Sequence, residues 1–193
     1  MSRFEAILTF WFGDPRDDNA YYDAWRSRWF TATPPFDQEI RDHFTADYQQ
    51  ATTQQLEHWR MAPRSGLALV LLLDQFPRNM FRSTPRAFAT DTMAREVATH
   101  LIHTGVDRQL LPVERAFVYM PFMHSEALAD QHSSVNLFQQ LAQEREYLGF
   151  VTFAIKHREV IERFGRFPHR NAILGRPSTP EEAEFLTQPG SSF

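Results

Sequence analysis

The 193-residue chain has no cysteine, which excludes disulfides, thiolate nucleophiles and Cys-ligated zinc or iron–sulfur centres. It carries a single lysine, Lys156, so only one position could form a Schiff base, and every other strong cation is arginine. Long apolar runs are also missing. The longest, residues 66–73, falls far short of the ~20 residues that span a bilayer. At the N-terminus, FEAILTFWFGD is interrupted by Glu5, lacks a small-residue cleavage site and runs into acidic residues, so it is not expected to be a leader peptide. Together these features predict a cytoplasmic protein with no membrane association. Positive charge is not in excess either: 20 Lys and Arg against 24 Asp and Glu give a net charge of −4, which disfavours nucleic acid as a partner. A Gly-rich phosphate loop, a G-x-S-x-G elbow and an H-E-x-x-H zinc motif are all absent.

What is present is a large apolar and aromatic share, 42% and 14% with 18 Phe, enough for a ring-rich core in a single domain over residues 1–193. Helix signals dominate. Ser2 and Glu5 form a capping box ahead of a helix stopped by Gly13, and a second helix is expected over residues 20–30. A third begins near Asp37, with Ile40, Phe44, Tyr48 and Ala51 as its stripe and an extension toward Trp59, and Pro63 with Ser65-Gly66 should break it. The central helix is expected from Leu67 to Phe76, ended by Pro77.

Thr84-Pro85, Thr90-Asp91 and Pro112 each signal a further start, Gly105 a stop, and Pro121 a kink. Further helices are expected around Val135 to Leu141 and from Phe150 to Phe164, where Phe153 is assigned inward, and Thr179-Pro180-Glu181-Glu182 should cap the last. No segment alternates with period two between hairpin turns. The fold class is therefore all-α, built from stacked antiparallel helix pairs. Trp11, Trp25, Trp29 and Trp59 read as core aromatics, His100 and His103 as solvated surface.

Three ionisable residues fall on faces that periodicity assigns to the core: Asp74, His124 (between Met120 and Leu128) and His157 (between Phe153 and Ile161). Burying such groups costs several kcal/mol unless they are paired, so partners are expected, with Arg78, Arg82, Arg166 and Arg170 nearby in sequence. Two stretches echo each other. Gln75-Phe76-Pro77-Arg78-Asn79 and Arg166-Phe167-Pro168-His169-Arg170-Asn171 each follow a long helix and read as donor-rich loops able to meet carboxylates or anions. A third polar group, His124-Ser125-Glu126 with Asp130-Gln131, follows Pro121.

If these three stretches converge, they form a ligand site of Asp74, Arg78, Asn79, Arg82, His124, Glu126, Arg166, His169, Arg170 and Asn171 for a small anionic ligand or peptide end. An enzyme reading would use His124 or His157 as a general base oriented by Glu126, Asp130 or Asp74, in a hydrolase-like site. In a third reading the polar groups only lock helices together in an interaction scaffold. No metal or cofactor is expected, and oligomeric state is not legible.

The runs LLLDQFPRNMFR (71–82), TPRAFATD (84–91), ERAFVYMPFMHSEALADQ (114–131), FGRFPHRNAILGR (164–176), STPEEAEFL and the terminal PGSSF resemble the bacterial family known as domain of unknown function 924. The N-terminal FWFGD belongs to the same resemblance, which covers essentially the whole chain. It implies an all-helical fold similar to tetratricopeptide-repeat superhelices, and no reaction. Met123 stands where the family commonly has glutamate, and Ser83 where glycine is common.

Overall fold

The computed structural model describes residues 1–13, 28–31, 33–144 and 148–192. All the regular structure among the described residues is helical, as the sequence predicts. Helix α1 (Arg3–Phe12) starts where Ser2 Oγ accepts the Glu5 N–H at 3.4 Å and ends at Gly13, in a positive-φ conformation. The Glu5 carboxylate does not complete the box. It turns to Arg64, which donates to it at 2.9 and 2.8 Å. Of the helix expected over residues 20–30, only 28–30 lie within the described residues, and they are helical.

Helix α2 (Pro34–Thr52) begins earlier than Asp37, because two prolines occupy the first turn, where a missing N–H costs nothing. It stops at Thr53 instead of running on to Trp59. Gln54 takes a left-handed φ of 61°, and a 3₁₀ turn, Glu57–Met61, follows.

Pro63 opens a helix instead of breaking one. Helix α3 (Pro63–Leu73) starts there, and every side chain from Leu67 to Leu73 is buried. Full burial of each large aliphatic stabilises the fold by about 1.5–3 kcal/mol. Gly66 lets α3 approach helix α5 (Asp91–Thr104): a Cβ there would sit 2.5 Å from Leu101 Cδ2. The central helix ends at Asp74 and not at Phe76. Helix α4 (Gln75–Met80) follows at once, so Pro77 lies in its first turn and the stretch expected as a loop is helical. Thr90 Oγ1 donates to Leu73 O at 2.6 Å, satisfying a carbonyl at the end of α3 instead of capping α5. Pro85–Phe88 forms the expected short turn, and Gly105 closes α5 in the left-handed region. Ser83 also adopts a positive φ, 62°, a conformation that costs a β-carbon-bearing residue more than glycine.

Helix α6 (Pro112–Met123) keeps Pro121 in its last turn. Helices α7 (Leu128–Glu144) and α8 (Leu148–Phe164) pack against one another, and α9 (Pro180–Leu186) starts with the full Thr179–Glu182 capping box. The chain divides into two compact units, Met1–Arg82 with Arg86–Pro121, and Ser83–Pro85 with Phe122–Phe193. The first has an aromatic core in which Trp11, Phe12, Trp29 and Phe117 meet mostly edge to face. The core of the second includes Val160, Ile161 and Phe167. No helix among the described residues is long and apolar enough to cross a membrane.

Candidate functional site

In the first unit, the stretch Asp74–Arg82 forms ion pairs with acids of its own unit. Asp74 is wholly buried; its carboxylate accepts the Gln75 amide at 2.6 Å and lies 3.2 Å from Arg78 Nη1. Arg78 Nη1 also donates to the Asp74 carbonyl at 2.6 Å, and the guanidinium reaches both Asp91 oxygens at 2.8 and 3.0 Å. Burial alone would lower the Arg78 pKa, yet Asp74 and Asp91 hold it above its ordinary value. One turn on, Asn79 and Arg82 converge on Asp37: the amide donates at 2.8 Å and the guanidinium at 2.8 and 2.9 Å. Burial pushes the Asp37 carboxyl up, but the bonds from Arg82 and Asn79 bring it below its usual range.

In the second unit the other two polar stretches come together. His124 does not sit on an apolar helix face: α6 ends at Met123, α7 begins at Leu128, and Leu128 is exposed. Local side chains end α6 and lead into α7. Gln131 Nε2 donates to the carbonyls of Met123 at 2.7 Å and Ser125 at 2.6 Å, while Ser125 Oγ accepts the Ala127 N–H and donates to Asp130 at 2.6 Å. His124 is held half-buried in this turn, with its ring centroid 6.4 Å from that of His157. His157 is buried on α8, as expected, although Phe153 one turn before it is exposed. The His157 ring faces Phe167 edge-on at 5.5 Å.

Phe167, fully buried, anchors the segment after α8. Gly165 ends α8 at a positive φ, and Pro168–Arg170 then forms a 3₁₀ turn, so this Phe-Pro pair also opens a helical turn rather than ending one. Glu126 accepts the Phe167 N–H at 2.8 Å and a two-pronged contact from Arg176 at 2.7 and 2.9 Å, and Arg176 reaches back to the Phe167 carbonyl at 3.2 Å. Burial would raise the Glu126 pKa, but these donors bring it below the usual value. Glu182 gathers Arg166 at 2.6 and 2.8 Å, the Thr179 N–H at 2.8 Å and the Asn171 amide at 3.3 Å. The Arg166 bonds, outweighing desolvation, hold its carboxyl at about 2.

Arg170, His157 and His169 face the Phe167 ring. The Arg170 guanidinium, in a residue only 6% exposed, lies 4.5 Å from the Phe167 ring, and His169 packs 5.6 Å from the same ring. Burial, then His124, then Arg170 and His169 push the His157 pKa down to about 3; only its bond to the Phe153 carbonyl, at 2.8 Å, opposes them. Neutral His157 donates Nδ1–H there, so Nε2 carries the lone pair. Burial and then Arg170 push His169 to about 4, with Glu126 opposing.

Of the residues expected to bind ligand, His124, Glu126, Arg166, His169, Arg170 and Asn171 thus share one unit with His157. Asp74, Arg78, Asn79 and Arg82 belong to the other, where Asp37 and Asp91 engage the donors. Glu126 and Asp130, expected to orient a base, serve Arg176 and Ser125. Arg176 and Glu182 were visible as a cation in a basic stretch and as a capping residue; nothing in their spacing marks them as the partners of Glu126 and Arg166.

The structure defines an all-helical protein with a basic histidine–arginine corner in its second unit. The chain belongs to the family of bacterial proteins of unknown function designated DUF924, whose model matches residues 7–190. It is similar to the solved structure of a protein of unknown function from Agrobacterium tumefaciens, 39% identical over 95% of this chain and 96% of that one, with a TM-score of 0.84. No curated protein matches.

Proposed function

We propose that the protein is a helical binding module taking a small anion or carboxylate-bearing ligand, such as a peptide end, at the corner formed by His124, His157, His169 and Arg170. The observation that carries this reading is the gathering of the Arg170 guanidinium and the neutral His157 and His169 rings around Phe167, where Arg170 helps to depress both histidines. An arriving anion would stabilise this arrangement, and arginine's planar fork suits a carboxylate or phosphate. The hydrolytic alternative has less support: a general base works best with a pKa near the operating pH, and His157 at about 3 lies far below it.

Thermal melts at constant ionic strength test the proposal. Acetate, succinate or inorganic phosphate should raise Tm relative to chloride, by the equivalent of about 2.7 kcal/mol at a hundredfold excess over Kd. The rise should vanish in Arg170→Gln, with Arg170→Lys retaining part of it. If no anion raises Tm in the native chain, or the rise survives in Arg170→Gln, the corner is a structural lock and not a binding site.

A further inference from the structure

In the first unit Arg3 closes on Asp47, Arg64 on Glu5 and Glu114, Arg78 on Asp91 and Arg82 on Asp37. Arg86 closes on no acid. It is exposed, and its guanidinium has no hydrogen-bond acceptor or ion-pair partner among the described residues. Yet it is not loose. Its central carbon lies over the Phe81 ring, 3.8 Å from the centroid. That ring is steadied in turn by Tyr48, 5.3 Å away, a buried residue of α2 whose hydroxyl is hydrogen-bonded to Thr90.

Positive charge gathers at this end of α4. Arg41 donates to the Met80 carbonyl at 3.3 Å, Arg86 lies over Phe81, and Arg82 follows. Asp37 meets Arg82 at 2.8 and 2.9 Å and feels the charge of Arg41 as well. Asp91, the next acid along the chain after Arg86, gives both oxygens to Arg78. A stacked arginine has already lost much of its rotamer freedom, so an arriving ligand does not bear that cost, and its in-plane N–H groups remain available. At an exposed position the attraction is screened, and the charge of the ligand decides: at equal distance a dianion is drawn about twice as strongly as a carboxylate. A phosphate monoester carries that charge near neutral pH and offers paired oxygens to the guanidinium fork.

We infer that Arg86, held on Phe81, is a binding site for the phosphate group of a monoester. The site lies in the first unit and does not depend on the reading of the histidine–arginine corner.

The test is a titration of the full-length chain with methyl phosphate, inorganic phosphate and acetate at pH 7.5 and constant ionic strength, followed by carbon-detected NMR of the arginine guanidinium groups. Methyl phosphate should saturate the Arg86 signal about fivefold more tightly than acetate, the effect of one further unit charge at contact distance in water. Inorganic phosphate should match it. Arg86→Gln should abolish the binding, and Phe81→Leu should weaken it about threefold by freeing the guanidinium. Urea unfolding verifies the fold of both variants, and Arg86→Gln decides alone if Phe81→Leu does not fold. Arg170→Gln should leave the Arg86 response unchanged. An Arg86 signal that does not saturate, methyl phosphate no tighter than acetate, or binding retained in Arg86→Gln would each overturn the site. Inorganic phosphate bound with methyl phosphate excluded would overturn the ester class, and a response lost in Arg170→Gln would overturn the independence of this site.

Discussion

Replacing Asp74 by alanine is expected to destabilise the protein by about 3 kcal/mol, measured by urea unfolding of native and variant chains. Asp74 is completely buried and faces Arg78 at 3.2 Å, with the Gln75 amide on its other side. Removing the carboxylate leaves a largely buried guanidinium with half its countercharge and an amide with only the Met120 sulfur, at 3.4 Å, as acceptor. Breaking a buried pair costs about 3–5 kcal/mol when one charge is left alone, and the retained Asp91 contacts place this case at the lower end. Adding Arg78→Met should recover part of the loss, because the second substitution removes the stranded charge. A cost within about 0.5 kcal/mol would mean that the Asp74–Arg78 pair contributes nothing to the first unit.

Acidification should unfold the protein in a window set by histidines before carboxylates respond. The folded-state pKa values of His157 and His169, about 3 and about 4, lie below the ordinary 6.5, so below pH 6.5 the unfolded chain takes up protons that the folded chain refuses. Their contribution is complete above 6.5 and is lost as pH falls, at up to about 1.4 kcal/mol per pH unit for each ring, until the folded-state values are passed. Glu182 and Glu126, whose carboxyls are lowered, add their loss only below about 4.5, and Glu114, raised by burial, works in the opposite direction. Urea denaturation at pH 7, 6 and 5 should therefore show a steady fall, and His157→Gln should remove about half of the slope. A stability that is flat between pH 7 and 5 would contradict the neutral, cation-flanked state assigned to these rings.

Helix content was legible because periodicity and caps agree: the stripe of α2, the Gly105 stop of α5 and the capping box of α9 stand as the sequence predicts. Prolines were harder to read. Pro63, Pro77 and Pro168 look like breakers, yet each sits in the first turn of a helical segment, where the missing N–H is no loss. Whether a proline ends one helix or opens the next depends on the residue ahead of it, here Asp74 or Gly165, and periodicity does not register that. The same limit misplaced His124: its spacing fits an apolar face, but Gln131 takes the carbonyls of α6 and Ser125 starts α7, so the residue lies in a turn.

Asp74 and His157 were identifiable as buried polar groups from their place on apolar faces. Partners distant in sequence were not, since Glu126 to Arg176 spans fifty positions.

The most direct test of the central claim is to map where an anion lands. Side-chain NMR at pH 7 during titration with inorganic phosphate should show saturable shifts of the His157 and His169 rings and the Arg170 guanidinium. These shifts should disappear in Arg170→Gln. Saturable shifts elsewhere with these three unmoved, or no saturable shift at all, would contradict the account.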